Sequence, residues 1–217
     1  MLIADCGTSW AKLFNTEENM LTIQPSIEIV ANREILFDLA TGHLSKNRTK
    51  RYENELTALA KGSLKMVNED DFTVVDVGSR DTKFCQFKNR KLFKLDWNQS
   101  CGSSTGFTLE LLGKYYNINY SELNVSDKII SVTCGVFGIE KIFDTIIKGE
   151  DPKIGIAQFV KGIAFNIYNF VNRPDKIYLS GGLCNNKCFV NSLKQFCNVE
   201  LLGRDVLING LSMVYEG

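Results

Sequence analysis

The sequence predicts an α/β protein of two lobes with similar build, and three observations carry that reading. Short apolar runs with strand character alternate with stretches of helical periodicity along the chain. A strand–turn–strand pattern at the start recurs in the middle of the chain. The 217 residues are enough for one domain or two small lobes, and no long linker or low-complexity segment interrupts them.

The opening, MLIADCGTSWAKLF, reads as an apolar strand, a Gly7-Thr8-Ser9 turn and a second strand. Leu21 to Ala40 alternates weakly (Ile23, Ile27, Ile29, Ile35, Leu36) and is expected to hold short strands. Ser45 to Arg51 (SKNRTKR) is polar and basic, the composition of a solvated loop or a helix start. Leu56, Leu59, Ala60 and Leu64 follow helical spacing, predicting a helix that ends near Gly62. Asp71 to Phe84 then repeats the opening. From Gly102 a Gly/Ser-rich turn leads into a helix with Phe107, Leu109, Leu111, Leu112 and Tyr115 as its apolar positions. Ser131 to Asp144 is a strand end or turn running into a helix, and Ile154 to Val171 an amphipathic helix. Lys176 to Leu179 is a buried strand, followed by Ser180-Gly181-Gly182 and a helix near Lys187 to Phe196. Asp205 to Tyr215 closes the chain as a helix.

Composition excludes several functions. Lys+Arg and Asp+Glu are equal at 25 each, which argues against a dedicated nucleic-acid binder. No apolar run reaches the length of a membrane span, and no basic stretch leads an apolar one at the N-terminus, so the expected location is the cytoplasm. Seven cysteines, an odd number spread over the chain, read as thiols or metal ligands rather than a disulfide framework. A single His argues against a multi-His zinc site.

The repeated motif carries the chemistry. Asp-x-Gly-(Thr/Ser)-x-x-x-Lys occurs as Asp5, Gly7, Thr8, Lys12 and as Asp76, Gly78, Ser79, Lys83. A carboxylate at a strand end, then Gly and a hydroxyl residue, suits phosphate and Mg²⁺. Gly lets backbone amides approach the phosphate, Ser or Thr adds a donor, and Asp holds the hydrated cation. One such turn is also a common hairpin turn; one in each lobe is a much stronger signal. The strand ending in Gly181-Gly182 could let a base or ribose lie against backbone, or be a plain strand-to-helix turn.

Cys101 and Cys134 each precede a predicted helix beside a Gly, where the helix N-terminus favours a thiolate. They could be metal ligands or small buried residues at helix starts. A [4Fe–4S] cluster wants four thiolates, which two such pairs in a two-fold dimer would supply. Cys184 and Cys188 could share a helix face, with core packing the simpler role; Cys6, Cys85 and Cys197 read as core, and His43 as structural or surface. There is no Ser-His-Asp set, P-loop or Gly-x-Gly-x-x-Gly fingerprint.

The order of these motifs resembles the actin/sugar kinase/Hsp70 ATPase superfamily, and more closely its BadF/BadG/BcrA/BcrD type, which includes activators of 2-hydroxyglutaryl-CoA dehydratase. Asp5 to Lys12 resembles the first phosphate motif, Ala40-Thr41-Gly42 the start of an Ala-Thr-Gly-Tyr-Gly-Arg segment, and Glu53 to Gly62 the helix before the second lobe. Asp76 to Lys83 is similar to Asp-(Ile/Val)-Gly-Gly-Gln-Asp-x-Lys, Cys101 to Glu110 to Cys-Ala-Ala-Gly-Thr-Gly-x-Phe-Leu-Glu, and Cys134 to Glu140 to Cys-x-Val-Phe-x-x-(Ser/Glu). Ser180 to Lys187 resembles Thr-Gly-Gly-Val-Ala-x-Asn-x-Gly.

The resemblance implies a two-lobed actin-like/ribonuclease H-like ATPase fold with a mixed five-stranded sheet in each lobe. Lobe I would be residues 1–68 plus a returning helix, 205–217, and lobe II residues 69–204. It implies ATP or ADP with Mg²⁺, held by Gly7, Thr8, Ser9, Lys12, Gly78, Ser79, Lys83, Gly181 and Gly182, with Asp5, Asp76 and Asp81 in catalysis. Asp81 and Glu55 are the candidates for orienting the attacking water. Cys101 and Cys134 would hold one [4Fe–4S] cluster shared across a homodimer. Ferredoxin or flavodoxin would be the electron donor, and a 2-hydroxyacyl-CoA dehydratase or similar metalloenzyme the acceptor. The chain departs from the pattern at His43-Leu44-Ser45, at Arg80 in place of Gln, at Gly102-Ser103, and in a shorter stretch between Lys12 and Thr41. Two other readings stay open: a small-molecule kinase of the same superfamily, and a nucleotide-binding regulatory subunit without turnover.

Overall fold

The computed structural model describes residues 1–98, 106–131 and 135–216. Contacts group the chain into two compact units. The first is Met1–Phe72 with Cys85–Leu95 and Leu202–Gly217; the second is Thr73–Phe84 with Asp96–Leu201.

Two five-stranded sheets organise the chain, and they share one topology. The first contains β1 (Leu2–Cys6), β2 (Trp10–Asn15), β3 (Met20–Pro25), β4 (Phe37–Thr41) and β5 (Thr49–Tyr52), in the order β3-β2-β1-β4-β5. The second contains β6 (Phe72–Val77), β7 (Thr82–Lys88), β8 (Lys91–Asn98), β9 (Lys176–Ser180) and β10 (Asn198–Gly203), in the order β10-β9-β6-β7-β8. Counted within each sheet, both run 3-2-1-4-5. In the first, β1–β2 and β2–β3 are antiparallel while β1–β4 and β4–β5 are parallel. The sequence repeat is therefore the visible part of a repeat of the whole sheet.

The helices are α1 (Ser26–Ala31), α2 (Glu55–Met66), α3 (Gly106–Tyr115), α4 (Gly135–Ile147), α5 (Pro152–Phe170), α6 (Lys187–Leu193) and α7 (Val206–Glu216), with a 3-10 turn at Gly182–Asn185. In each half a helix follows the fifth strand, α2 after β5 and α7 after β10. These two pack together in the first unit. Helix α2 starts where the Asn54 side chain accepts from the Leu56 amide. At its C-terminal end, Arg90 donates to the carbonyls of Leu64, Val67 and Glu69 at 2.7, 2.9 and 3.1 Å.

The second unit has the larger core, with Phe84, Phe159 and Phe189 fully buried around Val75, Ile142 and Leu179. The 19-residue α5 runs through it, begun by an Asp151 cap on the Lys153 amide and Pro152 in the first turn. The first unit has a small cluster of Ala4, Cys6, Ala11, Ile29, Phe37 and Ala40.

Tertiary context overrides local composition in several places. The polar Ser45–Arg51 stretch, expected as loop or helix start, ends in strand β5. Parallel pairing of Phe37 with Thr49 and of Leu39 with Arg51 supplies its ladder. Asp38 ties this edge together by accepting from Lys50 Nζ at 2.7 Å and the Leu2 amide at 2.9 Å, which holds its carboxyl below the usual range. Charged side chains suit an exposed edge strand. Leu21–Ala40 is strand only at its ends; Ser26–Ala31 is helical, entered from Pro25. Helix α2 does not stop at Gly62 but continues to Met66. Lys91–Asn98 and Asn198–Gly203, to which the sequence reading assigns no element, are the outer strands of the second sheet. No helix among the described residues is long and apolar enough to cross a membrane.

Candidate functional site

The first turn joins β1 to β2. Asp5 and Lys12 are register partners across that hairpin, and Lys12 Nζ donates to Asp5 Oδ2 at 2.7 Å with both side chains largely buried. Such a pair is a poor source of stability, because desolvation offsets the attraction. The turn is pinned from α1: Ser26 Oγ donates to the Gly7 carbonyl at 2.7 Å and the Ser26 amide to the Ser9 carbonyl at 2.9 Å. Thr8 is exposed at the tip, with Gly7 and Ser9 half-buried. Gly42, at φ +91°, closes the far side of β1; a Cβ there would lie 2.3 Å from the Cys6 carbonyl oxygen.

The second turn joins β6 to β7 and is closed by the Gly78 amide donating to the Asp81 carbonyl at 3.0 Å. Asp76 is opposite Ser180 in the parallel pairing of β6 with β9, and Ser180 Oγ donates to Asp76 Oδ2 at 2.7 Å. Lys83 Nζ donates to Asp81 Oδ1 and Trp97 Nε1 to Asp81 Oδ2, each at 2.8 Å. The turn's carbonyls are also engaged: Gly106 and Phe107, the first residues of α3, donate to Gly78 O at 3.3 Å and Ser79 O at 2.9 Å. Gly181, at φ +93°, sits against β6, where a Cβ would lie 2.5 Å from the Val77 carbonyl oxygen. A Cβ on Gly182 would meet nothing within 4 Å. Gly181 is thus required by the fold, whereas Gly182 leaves open space over its backbone.

The duplication extends past the motif. Gly42 stands to Cys6 as Gly181 stands to Val77, each glycine packed on the residue that follows the motif's Asp. Asp5, Gly7, Thr8, Ser9 and Lys12 lie in the first unit. Asp76, Gly78, Ser79, Asp81, Lys83, Gly181 and Gly182 lie in the second. Glu55 accepts from or faces His43 Nδ1 at 3.2 Å, on the surface of the first unit.

Cys101 and Cys134 lie outside the described residues. Of the other cysteines, Cys6, Cys85, Cys184 and Cys188 are buried and Cys197 half-buried. Burial pushes the Cys6 thiol up to about 12, with the Asp5 charge adding to the effect, and pushes Cys188 and Cys197 up to about 11. A metal-ligating thiol needs the opposite shift, so these three are poor ligands. Among the described residues no group of three or more His, Cys, Asp or Glu could hold a metal ion.

Sequence reasoning missed Ser180, Ser26, Trp97 and the Gly42–Cys6 contact as parts of these turns. The register of β6 with β9 brings Ser180 to Asp76, and the β7–β8 hairpin brings Trp97 to Asp81. Only the Thr41-Gly42 and Ser180-Gly181 resemblance, both hydroxyl-Gly pairs at the end of the fourth strand, could have signalled the shared build.

Two sheets of one topology, each with an Asp-x-Gly-(Thr/Ser) turn between its first two strands, define the two-lobed actin-like ATPase fold. Within it, this chain is similar to activators of 2-hydroxyacyl-CoA dehydratases. It is 24% identical over 181 residues to the (R)-2-hydroxyglutaryl-CoA dehydratase activating ATPase of Acidaminococcus fermentans, a match spanning 77% of this chain and 69% of that one. It is 23% identical over 175 residues to the 2-hydroxyisocaproyl-CoA dehydratase activator of Clostridioides difficile, spanning 76% of this chain and 65% of that one. The solved structure of the activator of 2-hydroxyisocaproyl-CoA dehydratase from Clostridium difficile with bound ADPNP superposes with a TM-score of 0.77 at 19% identity, covering 99% of this chain and 94% of that one. No family model matches the chain.

Proposed function

We propose that this chain is an ATP-dependent reductive activator: it binds and hydrolyses ATP to drive a low-potential electron into a partner metalloenzyme, a 2-hydroxyacyl-CoA dehydratase or similar. The observation that carries the reading is the duplicated turn, in which a buried carboxylate, a glycine turn, a hydroxyl and a lysine recur with the same glycine support behind them.

The residues fit a magnesium nucleotide. At each turn, backbone amides and hydroxyls (Thr8 and Ser9 in one, Ser79 in the other) would donate to phosphate oxygens, with Lys12 or Lys83 to neutralise charge. A carboxylate has about four lone-pair sites, and Asp5 and Asp76 would hold the waters of a hydrated Mg²⁺. The open space over Gly182 gives the nucleoside a backbone surface to lie against. Asp81, with one bond to each oxygen, keeps acceptor sites with which it would orient the attacking water. In hydrolysis, water attacks the γ-phosphorus, the β–γ bridging bond breaks, and ADP leaves.

Cys101 and Cys134, the pair that the family resemblance names, are assigned as ligands of a [4Fe–4S] cluster shared by a homodimer. The raised thiols of Cys6, Cys188 and Cys197 do not compete for it. When bound, the cluster supplies one-electron chemistry at low potential, with ferredoxin or flavodoxin as donor. The dimer reading is supported by apolar side chains left in solvent on α3 and α4. Phe107, Leu111 and Tyr115, spaced four apart, form a stripe on α3, and Phe137, Phe143 and Ile147 are exposed on α4.

Anaerobic purification with iron and sulfide analysis tests the redox part. About two iron and two sulfide per chain are expected in the wild type, and none in Cys101→Ser or Cys134→Ser. A reconstituted wild type without iron would remove the electron-transfer step. A phosphoryl-acceptor screen would then separate a kinase from a regulatory subunit.

A further inference from the structure

A cavity of about 530 Å³ lies within the first unit, between its sheet and α7. That volume is within the range of small-molecule sites. Its floor is a row across three strands. Ile3 pairs with Phe14 and Phe14 with Leu21, so the three side chains share one face of β1, β2 and β3. The row is covered unevenly: Ile3 is buried, Phe14 half-buried and Leu21 exposed. Helix α7 accounts for the gap. Its apolar residues Val206, Leu207, Leu211 and Val214 are buried, and its Gly210 backbone meets α2 at Ala58. The side turned to the cavity is Asp205, Ile208, Asn209, Ser212 and Tyr215, at helical spacing and mostly polar. An apolar row thus faces a polar stripe, and the two do not close on each other as a core would.

The charges around the cavity say what would fill it. Lys65 is exposed at its edge, and its ammonium makes no ion pair among the described residues. Asp205 Oδ2 accepts from Asn209 Nδ2 at 3.1 Å, while Oδ1 takes no bond among the described residues. A simple anion would be drawn to Lys65 and repelled by Asp205, and a simple cation the reverse. A zwitterion with an apolar side chain answers both charges and the apolar row, and the rings of Phe14 and Tyr215 favour an aromatic one. We propose that this cavity binds a free amino acid with a large apolar side chain, its carboxylate toward Lys65, its ammonium toward Asp205 and its side chain on Phe14 and Leu21. The assignment stands apart from the nucleotide reading, since no residue of the Gly7 or Gly78 turn is among those lining the cavity.

The test titrates three probes into the full chain, followed by ligand-observed NMR: L-phenylalanine, hydrocinnamate (the carboxylate alone) and phenethylamine (the ammonium alone). L-phenylalanine is expected to bind saturably, about threefold or more tighter than either analogue, the scale of one solvent-facing charge contact. Lys65→Ala is expected to remove its advantage over phenethylamine, and Asp205→Asn its advantage over hydrocinnamate. Ser212→Phe places a ring in the space and is expected to abolish binding. Leu21→Ser, at an exposed site on β3, is the milder change and is expected to weaken binding by about threefold or more. The assignment is overturned if the folded wild type shows no saturable binding of L-phenylalanine, or if a singly charged analogue binds as tightly. Binding that Leu21→Ser and a folded Ser212→Phe leave unchanged overturns it too. Mg-ATP binding, measured on the same samples, tests the nucleotide reading separately, and either can fail without the other.

Discussion

At the scale of single residues, most of the buried charge lies at the two turns, beside a buried neutral thiol. Asp5, Asp76, Asp81 and Lys83 are buried and Lys12 is half-buried, and all five lie at the two turns. Cys6 lies beside them and behaves in the opposite way, as a neutral thiol in the first core. Its raised pKa has a sign that can be checked. The unfolded thiol titrates near 9.0 and the folded one at about 12, so the folded state keeps a proton that the unfolded state releases. The Cys6 contribution to stability is whole below pH 9 and is lost as pH rises through 12. In urea melts, the wild type is expected to lose more stability than Cys6→Ala across that window; equal losses would place Cys6 in a wetter site. The turn residues themselves were legible in the sequence, because an Asp-x-Gly-hydroxyl-Lys pattern is local. Ser180 and Trp97 were not, because strand register brings them to Asp76 and Asp81, and register is set by the rest of the sheet.

At the scale of elements, the crossing of α2 with α7 is the tightest contact in the first unit. A Cβ at Gly62 would lie 1.9 Å from the Val206 carbonyl oxygen, and one at Gly210 would lie 1.9 Å from the Ala58 carbonyl oxygen. The sequence reading takes Gly62 for a helix stop, since glycine weakens helices; at this crossing glycine is what lets two backbones touch. Two effects oppose each other in Gly62→Ala. Helix propensity favours Ala by about 1 kcal/mol. Overpacking against backbone costs about 3 kcal/mol, and backbone cannot rotate away as a side chain does. The variant is therefore expected to be less stable by about 2 kcal/mol in urea unfolding; a gain in stability would mean that the helices stand further apart. The long apolar helices were legible because their periodicity is strong. The edge strands β5, β8 and β10 were not, because solvent-facing polar residues mask them and pairing with a neighbour makes them strands. On α3, the stripe of Phe107, Leu111 and Tyr115 carries its own test. Leu111→Glu is expected to convert a dimer to a monomer in light scattering without loss of fold, and a dimer that persists would place the interface elsewhere.

At the scale of the whole molecule, one build is used twice. Both sheets run 3-2-1-4-5, both carry the Asp-x-Gly-hydroxyl turn between their first two strands, and both place a glycine of positive φ behind it. The two copies then diverge: α1 fills the connection between the third and fourth strands of the first, while α3, α4 and α5 fill it in the second. Two of the inserted helices, α3 and α4, follow Cys101 and Cys134 in the sequence. The two-lobed plan was legible from the repeated motif, and the size of the second core from the apolar run in α5. That the carboxylate-glycine turns take part in binding Mg-ATP is tested most directly by calorimetric titration of Mg-ATP into wild type, Asp5→Asn and Asp76→Asn. Saturable uptake of Mg-ATP is expected in the wild type. Each variant is expected to bind at least about tenfold more weakly, the loss of one charged contact of roughly 1.5–3 kcal/mol, with circular dichroism confirming the fold. A folded wild type that takes up no Mg-ATP, or two folded variants that bind as well as it does, would contradict the claim.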